Sequence, residues 1–432
     1  MSEPTTLRDS KGRPWLVMIG CCLMMATCFS VPSTCSTLFI APVCEQFGFT
    51  RAAFTISTSI MSLIQIISMP MAGKILGSKK VDSRITLSIC VILMGGGFML
   101  LSKATKLWQW YVLYGIMGFV TPWCTVVAIS IFINNWFKDK VGLAMGIASA
   151  ASGIGSAVLS PIFTNLIVTN GWQSTYVYMG LYLIVFGLPL SATIMVFHPN
   201  RIGMRPYENK ATKEAAEAAP AATEGAAPAA AEIPGLTVEE GRKNPAFYML
   251  FLVTVLFGFS AAVNTHAASM MYGAFDMTKA GAFVSFLMVG VASGKIILGA
   301  INDKFGGKAT AGFGCISMAV GIAMVIVSTL KGIYPLACAA GIFTGFGVAT
   351  TTFTPALLTA SAMGRKGFSS LYSTIMVGFT VGSAIGTPLL GAIYDINQSY
   401  TAALIAIIAA ILVAFVVALM AIKIGQKAWM NK

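Results

Sequence analysis

Lys295 is the one clear ionisable group inside an apolar run long enough to cross a bilayer. A lysine at the centre of a span costs roughly 2.5–3.5 kcal/mol on insertion scales, so it marks a functional site by default. An ammonium at that depth can hold a carboxylate as a point charge. The competing reading is a lysine that snorkels to the interface. His266 is the single histidine within a span, and an imidazole can bond a substrate, carry a proton or simply pack. Asn264 and Thr265 beside it offer polar lining. Pro32-Ser33-Thr34 interrupts the first apolar run, so Ser33 and Thr34 present hydroxyls and freed carbonyls to a cavity. Trp123 and Gln65 are weaker wall candidates, and Trp123 is more simply read as packing.

The remaining chemistry is sparse. All 15 acids fall outside the predicted spans, in the N-terminal tail, in loops or helix ends (Glu45, Asp82, Asp139, Asp276, Asp303, Asp395), or in one linker region. The nine cysteines sit in or beside apolar runs without metal-ligand spacing, and read as small buried hydrophobes. No paired acids, nucleophile–base set or phosphate-binding glycine motif is present. An enzyme, a metal site, a cofactor and ATP drive are therefore not expected.

The elements that must position Lys295 follow from composition. The 432 residues are 56% hydrophobic and 10% charged, against the ~25% charged residues of a soluble domain. Mean hydropathy is +0.81. Lipid is then the solvent, and continuous rather than alternating apolar runs make the spans helices. The predicted fold is an all-α membrane protein with twelve transmembrane helices at 15–41, 53–73, 85–103, 108–136, 143–168, 173–197, 246–272, 281–301, 309–329, 333–361, 367–392 and 401–422.

The net charge of +13 follows the loops rather than a nucleic-acid patch. The N-terminal tail, the even-numbered loops and the C-terminus hold 22 basic residues, the opposite loops five. That asymmetry predicts cytoplasmic termini in a cell inner or plasma membrane. The first run reads as a retained span rather than a cleaved signal. The expected organisation is a tail at 1–14, a six-helix bundle at 15–199, a cytoplasmic linker at 200–244, a second six-helix bundle at 245–422 and a tail at 423–432. The Ala/Pro/Glu-rich stretch Ala215–Glu232 reads as disordered.

The halves repeat. Gly153-Ile154-Gly155-Ser156-Ala157-Val158-Leu159-Ser160-Pro161 answers Thr380-Val381-Gly382-Ser383-Ala384-Ile385-Gly386-Thr387-Pro388 at an offset of 227, and Gly73 answers Gly299 at 226. Parallel repeats of this kind build rocker-type transporters with a midplane site between the halves.

Gly299-Ala300-Ile301-Asn302-Asp303-Lys304-Phe305-Gly306-Gly307-Lys308 resembles the loop signature of the major facilitator superfamily. The resemblance implies a gating set of Gly299, Asp303 and Lys304. The first-half copy, Gly73 to Arg84, is degenerate, with Gly77 in place of the acid. Within the superfamily the chain resembles the monocarboxylate transporter and oxalate:formate antiporter branch. The segments are Leu38–Pro42 with Glu45–Ala53, Trp136-Phe137 with Lys140 and Gly142–Ala148, Gly171-Trp172, Asn244–Tyr248, and Ile393–Asp395 with Ser399-Tyr400. The resemblance implies that Lys295 stands where the branch has a substrate-pairing arginine, and that His266 matches a histidine of helix seven. Val291 stands where proton-linked members carry an acid, and Ser373–Val377 lacks the second cation of dianion antiporters. Thr34 stands where some relatives place a lysine. One embedded charge favours a monoanion. The expected function is alternating-access transport of small organic monocarboxylates by a monomer in the lipid bilayer, with protons or a counter-anion as partners and no nucleic acid. Exchange of organic anions including dicarboxylates is the runner-up, and a non-transporting metabolite sensor comes third.

Overall fold

Continuous apolar sequence in lipid must satisfy its own backbone, and it does so here as helix. The computed structural model describes residues 12–76, 82–137, 141–196, 199, 203, 204, 207, 235–364, 366 and 368–429, and contains no strand of more than an isolated bridge among them. Lys74, Asn134, residues 141–143, Asp303, Ser369 and Ser370 are placed in backbone only. The described spans are α1 (Arg13–Phe47), α2 (Arg51–Gly73), α3 (Ser83–Leu101), α4 (Leu107–Ile133), a 50-residue stretch Ala144–Thr193, α7 (Pro245–Tyr272), α8 (Met277–Asn302), α9 (Lys304–Lys331), α10 (Tyr334–Met363), α11 (Leu371–Asn397) and α12 (Thr401–Trp429). Gly171, at φ 78° and ψ 161°, turns the 50-residue stretch back on itself. Only glycine takes that conformation freely, and it divides the stretch into α5 (144–170) and α6 (172–193). Twelve crossings result among the described residues, with residues 12 and 429 at one end.

Boundaries shift where side chains cap helices. Asp276 accepts the Lys279 amide at 2.8 Å and starts α8 at Met277, four residues before the predicted 281. That amide, with the Lys279 ammonium 3.0 Å away, holds the exposed Asp276 carboxyl below its ordinary range. The predicted loop at Gly299–Lys308 narrows to a turn at Gly306, φ 77°, within one helical stretch Met277–Lys331, so α8 continues to 305 and α9 sets out from 307. Helix α12 runs on to Trp429, beyond the predicted 422, and Trp429 Nε1 donates to the Ala362 carbonyl.

Helix α1 is irregular where Pro32 removes a backbone donor. A wide turn at Met25–Phe29 and a tight one at Cys35–Phe39 flank it. The two repeated segments occupy related places. Helix α5 crosses α8 of the other half, and α11 crosses α2 of the other half. Near the termini, the residues before α7 clip onto the second half: the Leu236 amide bonds the Met363 carbonyl, and helix Val238–Lys243 packs Gly241 on Leu371. Tyr207 meets Trp15 and Phe137 on the first half. Ala215–Glu232, read as disordered, lies outside the described residues.

Candidate functional site

The face of α8 that carries Lys295 is fixed by its neighbours. Met288 Sδ lies 3.9 Å from the Thr34 hydroxyl of α1, and Ala292 packs on Gly153 of α5. Lys295 follows these by seven and three residues, on the same stripe of the helix. Its stripe therefore faces the first half, two turns or about 10 Å nearer the terminal end than Thr34. The side chain is half-buried and has no hydrogen-bond or ion-pair partner among the described residues. A desolvated cation with no partner is a strong attractor for an anion.

The other expected lining residues divide between this face and elsewhere. Thr34 is buried at the seam between halves. Ser33 turns its hydroxyl back to the Phe29 carbonyl of its own helix. Asn264 is half-buried, and its Oδ1 is sealed without a partner among the described residues. It points about 200° around α7 from His266, away from α11. Trp123 donates Nε1–H to Ser68 Oγ at 2.9 Å, a bond between α4 and α2 inside the first half. Lys304 is exposed and Gly299 borders open space, while the Asp303 side chain lies outside the described residues.

His266 sits in a second assembly, at the end opposite the termini. Its Nε2 lies 2.8 Å from the Thr387 carbonyl and its Nδ1 3.0 Å from the Tyr400 hydroxyl. A carbonyl only accepts, so Nε2 carries the proton and Nδ1 accepts from Tyr400. The Tyr400 oxygen then accepts from Arg51 Nη1 at 3.0 Å. Both nitrogens of a fully buried imidazole are thus engaged.

Arg51 is the first residue of α2, in the first half, and only 7% exposed. Its guanidinium lies 3.7 Å from the Tyr394 ring centroid and also reaches the Ser269 carbonyl at 3.4 Å. Its cation–π contact and all its acceptors are in the second half. The Asp395 carboxylate returns the connection, accepting the Arg51 and Ala52 amides at 3.0 and 2.9 Å. A carboxylate on a helix N-terminus matches its partial positive charge. Gly391 permits the approach, since a Cβ there would come within 2.7 Å of the Ala52 nitrogen. The two halves are tied shut at this end.

Sequence reasoning placed Arg51 and Asp395 as loop charges and missed this tie. The signal was present: a cation on the first turn of a helix opposes the dipole, and needs a compensating acid from elsewhere.

The architecture matches known transporters. A family model described as Major Facilitator Superfamily matches residues 17–297 and 250–428. The chain belongs to this superfamily. An MFS-type transporter of Escherichia coli (strain K12), YhjX, is 25% identical over 376 residues, 85% of each chain. Monocarboxylate transporter 12 of Mus musculus is 24% identical over 422 residues, covering 91% of this chain and 82% of that one. An oxalate:formate antiporter of Oxalobacter formigenes is 26% identical over 183 residues, 42% of this chain and 43% of that one. A solved bacterial homolog of the human lysosomal transporter Spinster, inward-facing and occupied, shares the fold at a TM-score of 0.72 and 14% identity, over 98% of this chain and 99% of that one. The resemblance to the monocarboxylate transporter and oxalate:formate branch and the twelve-helix fold stand. This superfamily chain is a multi-pass membrane transporter.

Proposed function

We propose that the protein carries small organic monocarboxylates by alternating access of its two bundles, with Lys295 as the substrate cation. The observation that carries this reading is the half-buried Lys295 with no partner among the described residues, on the α8 face turned to the other half. Thr34 and Asn264 would line the same passage. The monocarboxylate transporter and oxalate:formate antiporter among the relatives support the substrate class. Asp303, Lys304 and Gly299 would act as a gate at the terminal end.

The basic asymmetry of 22 against five supports cytoplasmic termini in the cell inner or plasma membrane. Under that orientation the Arg51–Asp395 tie closes the outer face. Cysteine labelling at Lys103 and Asp395 from outside, and at Arg84 and Lys366 only from inside, tests it. Reversed accessibility of either pair overturns it.

The decisive experiment is uptake by proteoliposomes across a panel of radiolabelled acids, with and without pH and potential gradients. Lys295→Ala should abolish uptake and leave the fold intact, whereas Lys295→Arg should retain part of it because the charge persists. Normal turnover in both Lys295→Ala and Lys295→Gln would remove Lys295 from the site. Exchange including dicarboxylates is the second reading, supported by the oxalate:formate antiporter relative. Its signature is uptake that requires a counter-anion inside the vesicle.

A further inference from the structure

A buried guanidinium needs an anion or a full set of acceptors, and Arg51 has neither. Only 7% of the residue is exposed, so its charge is held out of bulk water. Of its donors, Nη1 alone finds acceptors, the Tyr400 hydroxyl and the Ser269 carbonyl, and both are neutral. The Tyr394 ring covers one face of the group. Nε and Nη2 have no acceptor among the described residues, yet neither is sealed, so this edge reaches open space.

The neighbouring acids are committed elsewhere. Asp395 gives one oxygen to each of the Arg51 and Ala52 amides rather than to the guanidinium. Glu45 accepts from the Tyr272 hydroxyl at 3.3 Å. Among the described residues no carboxylate lies within ion-pair distance of the Arg51 side chain. The shape of the free edge selects its ligand. Nε and Nη2 carry two parallel N–H bonds, which match the two oxygens of one carboxylate. Helix α8 starts at this end with Met277, and Lys295 follows 18 residues later, about 27 Å along the axis. Arg51 and Lys295 are therefore separate cations, at two depths of the molecule.

We infer that the Nε–Nη2 edge of Arg51 is a second carboxylate site, which receives a small monocarboxylate at the end opposite the termini before it reaches Lys295. The onward passage to Lys295 rests on the transport reading above, while the edge itself does not involve Lys295. A carboxylate seated there neutralises the charge that draws Arg51 onto the Tyr394 ring and the Tyr400 hydroxyl. Arrival of substrate then loosens the tie that keeps this end closed.

The test removes the central cation and follows the Arg51 guanidinium directly. Phenylglyoxal, which attacks guanidinium groups, is applied to purified Lys295→Ala protein and to Lys295→Ala with Tyr400→Phe. Modification of Arg51 and of the exposed Arg242 is measured by peptide mass spectrometry. Arg51 should react in both proteins, and faster with Tyr400→Phe, which releases Nη1. Saturating acetate should slow Arg51 about tenfold relative to chloride at equal ionic strength, the effect of a hydrogen bond between charged groups. Arg242 should show no difference, and acetamide, which has the shape without the charge, should not protect. A Ser59→Cys reporter in the same proteins should react with an impermeant maleimide at the same rate or faster in acetate. Slower labelling at both Arg51 and position 59 would mean that acetate tightens the tie, and would overturn the site. Arg51 unreactive in both proteins would show a closed edge, and protection by acetate no greater than by chloride would show no carboxylate preference; either overturns it. Absent protection together with Lys295-dependent uptake leaves the transport reading standing. Selective protection by acetate in Lys295→Ala establishes the Arg51 site, even where Lys295 variants transport normally.

Discussion

The α2–α11 and α5–α8 crossings join the same two halves at related positions, yet they are made differently. At α2–α11 the contact is polar. Asp395 takes two amides, Arg51 reaches acceptors and rings of the other half, and Ser59 Oγ donates to the Ala384 carbonyl at 2.8 Å. At α5–α8 the contact is small and apolar. Gly153 packs on Ala292, and a Cβ on Gly281 would collide with Thr164. Polar bonds can be exchanged for water when an end opens, so they suit a contact that breaks in each cycle. Close packing of small residues has no such replacement in lipid and suits a contact that persists as a pivot. Lys295 lies on the face of α8 turned to the first half, away from the Arg51–Asp395 tie.

The contrast breaks most severely at the pivot. Gly281→Leu should drive a side chain into Thr164, lower stability by roughly 1–3 kcal/mol and abolish uptake. A normal melting temperature with normal uptake would mean that α5 and α8 separate freely. Asp395→Ala comes next. It leaves the Arg51 and Ala52 amides of α2 without their acceptor, and loss of a helix cap costs about 1 kcal/mol or somewhat more. A reporter cysteine at Ser59 should then react up to about tenfold faster with an impermeant maleimide, with the melting temperature shifted less than in Gly281→Leu. Unchanged reactivity would show that Asp395 does not hold the tie.

Tyr400→Phe removes only the hydroxyl between Arg51 and His266. It should raise Ser59 labelling a few-fold, in line with one hydrogen bond at about 1 kcal/mol. The smallest effect is expected from a proton gradient. Val291 stands in the branch's acid position, and both His266 nitrogens are engaged, so uptake should follow exchange or membrane potential rather than pH. Substrate-driven alkalinisation of the medium that disappears in His266→Ala with the fold intact would contradict this.

Trp123 and His266 mark how far residue type alone leads at the site. The sequence leaves Trp123 as packing or wall and His266 as substrate-bonding, proton-carrying or packing, and the structure adds their partners: Trp123 bonds Ser68 within its own half and His266 bonds Tyr400 in the tie. Neither Ser68, 55 residues away, nor Tyr400, 134 away, could be paired with them from the chain.

The amino-acid sequence by itself determined the number of spans, the turns between them, the internal repeat and the singularity of Lys295. These depend on local quantities, hydropathy over about 20 residues and a glycine such as Gly171, whereas the Asp276 cap that moves the start of α8 by four residues was read only in the structure. Helix pairing was decided only in three dimensions. In lipid both the core-facing and the outward faces of a span are apolar, so periodicity does not distinguish them. Ile296, 70% exposed, adjoins Lys295, whose stripe faces the other half. Arg51 and Asp395, 344 residues apart, acquire their meaning only because α2 and α11 cross at a glycine.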